Sequence, residues 1–350
     1  MDIKKPKILF TLPNLNGGGA ERVIVNIIKS LDKDKYDIKL LLVDKIGVYF
    51  EYLPEYIEII SLDTKRTRNA LPRLIKAIKT INPDILFATT NRMNILVLMA
   101  SFFIDKEIKI YVREPNLPSA QIKNNNMPFW YKTLIKLLYP RAYKVVAQTD
   151  EMNEEIHQYF GIKKEKIITL INPIDKESID KNLENIKNQF DENCINFVAV
   201  GRLTYQKGFD TLIRTMSEVI KENDRYKLYI LGEGEDRLKL ESMIKEFGLE
   251  KNVYLLGFQK NPHKYIKYAN AFILSSRWEG LPNVVLESLY IGTPVVMTKV
   301  NNFCEKILLN NQLGIVLDDN KKLKDYILSI KDLNNINKYE IDNEFENLFN

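Results

Sequence analysis

The sequence contains few of the residues that form disulfides or bind zinc. Its 350 residues include two cysteines, Cys194 and Cys304, and two histidines, His157 and His263. Two cysteines this far apart give no disulfide framework and no metal-ligand spacing, and two isolated histidines do not make a zinc site. The absences exclude the disulfide-stapled class of protein and predict a chain that works without a bound metal.

Long hydrophobic runs are also missing. The longest apolar stretch, residues 95–104, is too short to cross a bilayer and predicts a buried helix instead. The first fifteen residues begin with basic charge, but their apolar stretch leads into a glycine loop and not into a cleavage site. We therefore expect a cytoplasmic protein.

One segment of the chain has no acidic residue. Residues 1–172 carry 27 Lys and Arg against 19 Asp and Glu, or +8, whereas the remainder carries 24 against 27, or −3. No acid lies between Glu114 and Asp150. Basic residues in that interval alternate with Phe129, Trp130, Tyr131, Tyr139 and Tyr143; they are Lys123, Lys132, Lys136, Arg141 and Lys144. The charge favours an anionic partner or surface, but no nucleic-acid-binding motif accompanies it.

Short apolar strands alternate with amphipathic helices along most of the chain. Six such strands fall in the first 172 residues, starting with 7–12, and five more follow from Ile195, which predicts two doubly wound parallel sheets. A polar connection with one marginal helix separates them. We predict a Rossmann-like acceptor domain over 1–175 and a Rossmann-like donor domain over 190–330. A helical tail, 331–350, is predicted to pack back on the first domain.

Two carboxylates near one helix start are the most informative feature. Glu279 lies in a loop after the apolar run 270–276, and Glu287 lies about one turn into a helix that begins near Pro282. A helix N-terminus presents unpaired N–H groups, and neighbouring acids accept protons from hydroxyl groups. The pattern suits a ligand that carries both phosphate and sugar hydroxyls, although two surface glutamates would look the same in isolation.

Glycine-rich and basic loops follow other strands. Gly17, Gly18 and Gly19 follow the first strand, but Arg22 stands where the dinucleotide fingerprint needs its third glycine. Arg202 and Lys207 follow the first strand of the second half, where open α/β sheets bind ligands, and two such cations can pair with a diphosphate. The glycine loop alone is equally consistent with a tight turn, and the basic loop alone is consistent with a solvated surface loop.

Taken in order, these motifs resemble the retaining glycosyltransferases of family 4, which have the GT-B fold. The resemblance rests on "GGGAER", "VGRLTYQKG", "ILGEGED", "LLGFQKNPHKYI" and "EGLPNVVLES", across roughly residues 7–317. It is closest to bacterial members that extend undecaprenyl-diphosphate-linked oligosaccharides, such as N-acetylgalactosaminyltransferases.

The resemblance implies a role for each motif residue. Arg202 and Lys207 would bind and stabilise the leaving diphosphate, Glu279 would hold donor sugar hydroxyls or support charge at the anomeric carbon, and Glu287 would hold the ribose. Further substrate contacts would come from Gly18, Gly19, Gln259 near the uracil, Gly280, Leu281 and Asn283. The implied reaction retains configuration and needs no cofactor or metal besides the UDP-sugar. The D-x-D of Asp32 and Asp34 is predicted to be a solvated turn.

One position departs from the family. Many relatives have a histidine near the acceptor, where this chain has Arg113 and Glu114 at a strand end. Either residue could orient the acceptor, and either could be structural. The basic-aromatic segment 123–144 would bring the protein to the inner face of the cell membrane, or would be an ordinary amphipathic core helix.

The sequence thus predicts transfer of N-acetylhexosamine or hexose from a UDP-sugar to an undecaprenyl-diphosphate-linked glycan, for O-antigen, capsule, other surface polysaccharide or glycoprotein synthesis. Two alternatives remain at this point. A non-hydrolysing UDP-sugar epimerase would keep the fold but would need more acid–base residues. A catalytically silent scaffold of a polysaccharide complex would not need the intact charged motifs.

Overall fold

The chain folds into two compact units. The computed structural model describes residues 5–64, 66–104, 106–124, 129–300, 302–310, 313–317, 321–330, 339, 345 and 348–349. The first unit comprises Met1–Pro173 with Asp342–Asn350, and the second comprises Ile174–Ile341.

A parallel sheet forms the centre of the first unit. Its seven described strands are β1 (Lys7–Leu12), β2 (Asp37–Leu42), β3 (Glu58–Ser61), β4 (Ile85–Thr89), β5 (Lys109–Arg113), β6 (Lys144–Ala147) and β7 (Ile167–Thr169). They lie in the order β3-β2-β1-β4-β5-β6-β7. The register aligns Phe10 of β1 with Leu40 of β2 and Phe87 of β4.

Helices cover both faces of this sheet. They are α1 (Gly19–Ser30), α2 (Leu71–Ile81), α3 (Asn91–Ala100), α4 (Pro118–Lys123), α5 (Phe129–Leu138) and α6 (Asp150–Phe160). Successive side chains of β1 point to opposite faces, so Leu9 joins one hydrophobic core with α2, α3, α5 and α6. Ile8 and Phe10 join another with α1. Strands buried on both faces explain the continuous apolar runs in the sequence.

The second unit repeats the plan. Its six described strands are β8 (Ile195–Val200), β9 (Tyr226–Leu231), β10 (Val253–Gly257), β11 (Ala271–Leu274), β12 (Val295–Thr298) and β13 (Gly314–Leu317), in the order β10-β9-β8-β11-β12-β13. Its helices are α7 (Lys176–Leu183), α8 (Phe209–Glu222), α9 (Arg237–Glu246), α10 (His263–Tyr268), α11 (Asn283–Ile291), α12 (Asn302–Asn310) and α13 (Lys321–Ser329). All of its strand pairs within the described residues are parallel.

Each sheet changes direction of winding once. In the first unit β1 and β4 are neighbours although they are not consecutive, and in the second unit β8 and β11 are neighbours in the same way. Such a switch point leaves a crevice beyond the carboxyl ends of the two strands, where α/β proteins bind their ligands. The topology therefore marks one candidate crevice in each unit.

Two strands were not predicted from the sequence. β3 and β13 each have four residues and lie at the edge of their sheets, with mostly half-buried side chains. An edge strand contacts one neighbour only, so its sequence carries a weaker apolar pattern than a central strand.

Most of the predicted tail, 331–350, lies outside the described residues. Two of its residues, Phe345 and Phe349, are buried in the hydrophobic core that lines the α1 face of the first sheet. The Phe349 ring meets Tyr111 edge-on, with ring centroids 5.4 Å apart. Aromatic pairs of this kind add about 1 kcal/mol to the burial they bring.

Candidate active site

An ion pair joins the two central strands of the second unit. Lys207 follows β8 and Glu279 follows β11, and the lysine Nζ lies 2.5 Å from the Glu279 Oε1. The Oγ of Ser276 donates a 2.7 Å hydrogen bond to the same oxygen. The Lys207 side chain is 20% exposed and that of Glu279 8%. The pair is therefore largely shielded from water, which strengthens its attraction, while its lysine still reaches the surface.

Backbone and side-chain contacts hold the two loops that carry this pair together. The Ser275 Oγ donates to the Lys207 carbonyl at 3.0 Å, and the Arg277 N–H donates to the Gln206 carbonyl at 2.7 Å. The Arg277 guanidinium also donates two 2.9 Å hydrogen bonds to Asp210. Burial acts to raise the pKa of Asp210, but the hydrogen bonds and charge of Arg277 lower it overall. The ionised Arg277–Asp210 pair thus joins the loop after β11 to the start of α8.

Gly208 allows the loops to approach this closely. Its φ is +67°, a conformation that side chains of L-residues disfavour. A Cβ at this position would lie 2.1 Å from the Ser275 carbonyl oxygen. Any larger residue would have to push the two loops apart and with them Lys207 and Glu279.

Glu287 lies on α11, which begins at Asn283 directly after Pro282. Its side chain is 1% exposed and its Oε2 lies 3.3 Å from the His263 Nε2 of α10, whose side chain is 2% exposed. Asn182 of α7 contacts the other ring nitrogen, Nδ1, at 3.3 Å. The acid predicted to hold a ribose is thus in contact with a buried histidine.

The remaining predicted residues of the second unit follow strands β8, β10 and β11. Arg202 follows β8 with an exposed side chain. Gln259 follows β10, is half-buried and donates to the Leu256 carbonyl at 2.8 Å. Gly280 and Leu281 are buried in the loop before α11, and Asn283 is the first residue of that helix.

In the first unit, the glycines after β1 open helix α1. Gly17 has a φ of +94°, Gly18 is the N-cap residue and Gly19 begins the helix. A Cβ on Gly19 would have nothing within 4 Å, so the start of the helix is open at this point. The backbone can therefore be approached closely by a ligand at the switch point of this sheet.

Arg113 and Glu114 belong to a buried hydrogen-bond network. Arg113 is 2% exposed and Glu114 is fully buried. The guanidinium donates to the Thr89 Oγ1 at 3.2 Å and to the Asn172 Oδ1 at 2.6 Å. The Tyr139 hydroxyl donates to the Glu114 Oε1. Both side chains thus link neighbouring strand ends and α5's C-terminal turn within the unit.

Burial shifts the charge equilibria of this network. It raises the pKa of Glu114 to about 7, although hydrogen bonds from Tyr139 and Asn94 and the charge of Arg113 act in the opposite direction. It lowers the pKa of Arg113 to about 9. The Oε2 of Glu114, the Nε of Arg113 and the Oδ1 of Asn94 are buried without hydrogen-bond partners in the described structure. A proton on Glu114 would supply a donor that this network lacks.

Comparisons with known proteins identify the family of the chain. The family model "Glycosyltransferase Family 4" matches residues 17–178, and "Glycosyl transferases group 1" matches residues 180–345. A Campylobacter jejuni protein, N-acetylgalactosamine-N,N'-diacetylbacillosaminyl-diphospho-undecaprenol 4-alpha-N-acetylgalactosaminyltransferase, is 34% identical over 89% of this chain and 86% of its own length. The chain belongs to the family 4 glycosyltransferases.

Two further comparisons show how much of the chain is similar to other proteins in sequence and in fold. An uncharacterised glycosyltransferase of Methanocaldococcus jannaschii is 35% identical to this chain. The matched region covers 67% of this chain and 60% of that relative's length. The structure of Anabaena HepE in complex with UDP and glucose superposes with a TM-score of 0.74 at 18% identity, covering 93% of this chain and 89% of that one. The predicted GT-B fold, with its two Rossmann-like units, is confirmed.

Several residues that contact the candidate site residues, or lie at a neighbouring strand end, were not predicted from the sequence. Ser276 shares the Glu279 carboxylate, and His263 and Asn182 form a chain of contacts behind Glu287. Thr90, after β4, has a φ of +73°, rare for a β-branched residue, and its buried Oγ1 has no partner within the described residues. Ser276 lies three residues before Glu279 in the same loop, so the sequence held a local signal for it. Asn182, His263 and Glu287 come from three separate helices, so no spacing in the sequence links them.

The basic-aromatic segment contributes both core and surface. Tyr131, Ile135 and Leu138 of α5 are buried, whereas Trp130 and Leu137 are 52% and 67% exposed. Phe102 and Phe103, which follow α3, are also exposed. The Arg141 guanidinium lies 3.9 Å from the centroid of Phe102. None of the helices that the structure describes has both the length and the apolar character needed to span a bilayer.

Proposed function

We propose that this glycosyltransferase moves an N-acetylhexosamine from a UDP-sugar to an undecaprenyl-diphosphate-linked glycan, with retention of configuration. The observation that carries the donor half of the proposal is the Lys207–Glu279 pair at the switch point of the second sheet. It sets a cation for phosphate beside an acid for sugar hydroxyls, at the sheet edge where ligands bind.

In the proposed donor complex, positive charge stabilises the leaving UDP. Arg202 is exposed and Lys207 is partly exposed, so both can turn toward a diphosphate. Bond breaking between the anomeric carbon and the phosphate oxygen leaves negative charge on UDP, which these cations would neutralise. Because the chain supplies this charge itself, the proposal needs no metal ion. Within the described residues, no three His, Cys, Asp or Glu side chains group as metal ligands.

Other residues would orient the donor. Glu287 would accept hydrogen bonds from the ribose hydroxyls, and the backbone near Gln259 would hold the uracil. Glu279 would hold hydroxyls of the sugar, with Gly280, Leu281 and Asn283 contacting the donor at the start of α11. A hydroxyl of the acceptor would attack from the face that UDP leaves, and its proton would pass to the departing phosphate oxygen.

The acceptor would bind to the first unit. Gly18 and Gly19 would contact the substrate through their backbone, while the Arg113–Glu114 network would shape the neighbouring strand ends. The Campylobacter jejuni relative, whose name specifies a diphospho-undecaprenol acceptor, supports a lipid-linked glycan. Such a glycan would serve a surface polysaccharide, O-antigen, capsule or glycoprotein.

A lipid-linked acceptor requires contact with the inner face of the cell membrane, and the segment 123–144 is the proposed contact. Trp130 and Leu137 are seven residues apart on α5, which places them on one side of a helix, with exposed Lys136 beside them. Aromatic and leucine side chains flanked by lysine and arginine suit the interface of an anionic bilayer.

The test is a transfer assay with a synthetic undecaprenyl-diphosphate-linked N-acetylhexosamine and a panel of UDP- and GDP-sugars. Mass spectrometry of the lipid should show one added sugar from a single UDP donor, with an α linkage by NMR when the donor is α. A product of inverted configuration would contradict the retaining mechanism. A changed free sugar nucleotide without lipid product would point to an epimerase.

A further inference from the structure

His263 is buried behind the carboxylate proposed to hold the donor ribose. It is one of two histidines in the chain and begins α10. Its Nε2 lies 3.3 Å from the Glu287 Oε2, and both side chains are almost completely removed from solvent. A carboxylate in such a place needs hydrogen-bond donors, because an unsolvated negative charge is costly.

Asn182 determines which nitrogen of His263 carries the proton. Its side-chain Nδ2 lies 3.3 Å from the His263 Nδ1. An amide N–H donates, so Nδ1 must accept, and a neutral imidazole then carries its proton on Nε2. That proton is directed at Glu287. The arrangement makes His263 a donor to the carboxylate without requiring a positive charge.

Contacts from the loop before α10 and from α11 hold α7, the helix that carries Asn182. The Asn261 Nδ2 donates to the Asn182 carbonyl at 2.7 Å. On the same helix, α7, Asp180 accepts a 2.7 Å hydrogen bond from the Tyr290 hydroxyl of α11. Helix α7 is thus attached both to α10, which carries His263, and to α11, which carries Glu287.

We propose that His263 is a positioning residue that fixes the orientation of the Glu287 carboxylate for the donor ribose. This inference rests on the proposed role of Glu287. A hydrogen bond to Oε2 restricts rotation of the carboxyl group, so the group is already aligned when the nucleotide binds. Pre-alignment of this kind saves the cost of ordering the side chain on binding.

The decisive measurement compares UDP with 2′-deoxy-UDP by isothermal titration calorimetry. The 2′-deoxy nucleotide lacks a hydroxyl that Glu287 would hold. Wild-type protein should therefore bind UDP more tightly than 2′-deoxy-UDP. In His263→Phe, UDP should bind about tenfold more weakly, because one charge-assisted hydrogen bond is lost. Binding of 2′-deoxy-UDP should change much less, so the ratio of the two affinities should fall.

Two variants serve as references. His263→Gln keeps an N–H at a similar distance from the backbone and should recover most of the discrimination between the nucleotides. His157→Gln changes the other histidine, which lies in the first unit with its Nδ1 2.8 Å from the Ile162 carbonyl, and should leave both affinities unchanged. Circular dichroism of each variant shows whether it has folded.

Nitrogen-15 NMR tests the proton assignment independently, and His157→Gln assigns the spectrum. The His263 ring should show a protonated Nε2 and an unprotonated Nδ1. Asn182→Asp places an acceptor at Nδ1 and should draw a proton to that nitrogen. A wild-type ring protonated on Nδ1 alone would overturn the proposed contact.

The possible results separate the two proposals. If wild-type protein does not discriminate between UDP and 2′-deoxy-UDP, the ribose role of Glu287 fails. If it does discriminate and folded His263→Phe keeps the same ratio, Glu287 holds the ribose without help from His263, and the positioning role is refuted.

Discussion

Both units of the glycosyltransferase carry an acid and a base where neighbouring parallel strands end, yet the two sites differ in solvent contact. In the second unit Lys207 is paired with Glu279 but remains 20% exposed. In the first unit Arg113 and Glu114 are buried, and each has an atom without a hydrogen-bond partner in the described structure. Exposure would allow the lysine to exchange Glu279 for the phosphate of the proposed donor. The buried Arg113 instead donates its hydrogen bonds to Thr89 and Asn172 of the same unit.

This difference in exposure indicates which charged side chains can contact a ligand directly. A charged group that meets a ligand must reach solvent without a large desolvation cost, as Lys207 can. A buried pair such as Arg113 and Glu114 would act through the shape of the loops it holds. Four substitutions would break or sharpen this contrast.

The largest effect is expected from Lys207→Ala. The variant removes a cation proposed to stabilise the leaving diphosphate, so we expect the transfer rate to fall by at least about a thousandfold while the fold persists. Lipid-linked product measured by mass spectrometry would give the rate, and circular dichroism the fold. Lys239→Ala is the control, because it also removes a lysine from an ion pair of the second unit. The Lys239 Nζ lies 3.8 Å from the Asp210 Oδ2, and the side chain is more than half exposed. Normal turnover of Lys207→Ala would refute the proposed site.

Gly208→Ala should damage the second site through its backbone. Alanine at a φ of +67° costs about 1–2 kcal/mol, and here its Cβ would also meet the Ser275 carbonyl oxygen. We expect a loss of stability of about 3 kcal/mol together with loss of UDP binding. Chemical denaturation and calorimetry measure the two effects.

Gly248 offers a matched control for that substitution. Its φ is +66°, but a Cβ there would have nothing within 4 Å. Gly248→Ala should therefore show only the conformational cost, about 1–2 kcal/mol, and should bind UDP normally. Equal losses of stability in the two variants would show that the contact with Ser275 is relieved at no cost.

The first site is tested by Glu114→Gln, through the pH dependence of stability. The pKa of Glu114 in the folded protein, about 7, lies above its ordinary value of 4.5. The folded state therefore binds the proton more tightly, so its stability falls as pH rises from about 4.5 to 7 and stays lowered above that. The lost stability amounts to at most about 3 kcal/mol.

Glutamine resembles the protonated acid and cannot ionise. Glu114→Gln should therefore match wild type near pH 4 and be more stable at pH 8, by up to about 3 kcal/mol. Denaturant titrations at both pH values measure this. Glu250→Gln, at an exposed position of the second unit, should show no such pH-dependent gain. A variant less stable than wild type at pH 8 would indicate that Glu114 works as an ionised partner of Arg113.

The contrast between the sites also shows what the sequence could predict. Alternating apolar strands and helices predicted both parallel sheets, because strands buried on two faces leave a strong local pattern. The rule that ligands bind at the carboxyl ends of strands placed Lys207 and Glu279 at one edge. Their ion pair depends on two loops 72 residues apart, which no local pattern links.

The burial of Arg113 and His263 could not be predicted from the local sequence pattern for a similar reason. Arg113 ends a buried strand, and the sequence does not show that Asn172 and Thr89 cover its guanidinium. His263 stands in a short polar helix, where an exposed position would be equally natural. Its burial follows from α7 and α11 packing against α10, which is a property of the whole unit.

The smallest effect is expected at the proposed membrane surface. Trp130→Ser removes an aromatic side chain that is 52% exposed on α5, so binding to vesicles of anionic phospholipid should weaken about fivefold, or ~1 kcal/mol. Sedimentation with vesicles measures it, and UDP affinity should not change. Leu238→Ser is the control, because Leu238 is 77% exposed on α9 of the second unit. Equal weakening in both variants would mean that vesicle binding reflects general surface hydrophobicity. Weakening in Trp130→Ser alone would assign the membrane contact to the first unit, the unit proposed to bind the lipid-linked acceptor.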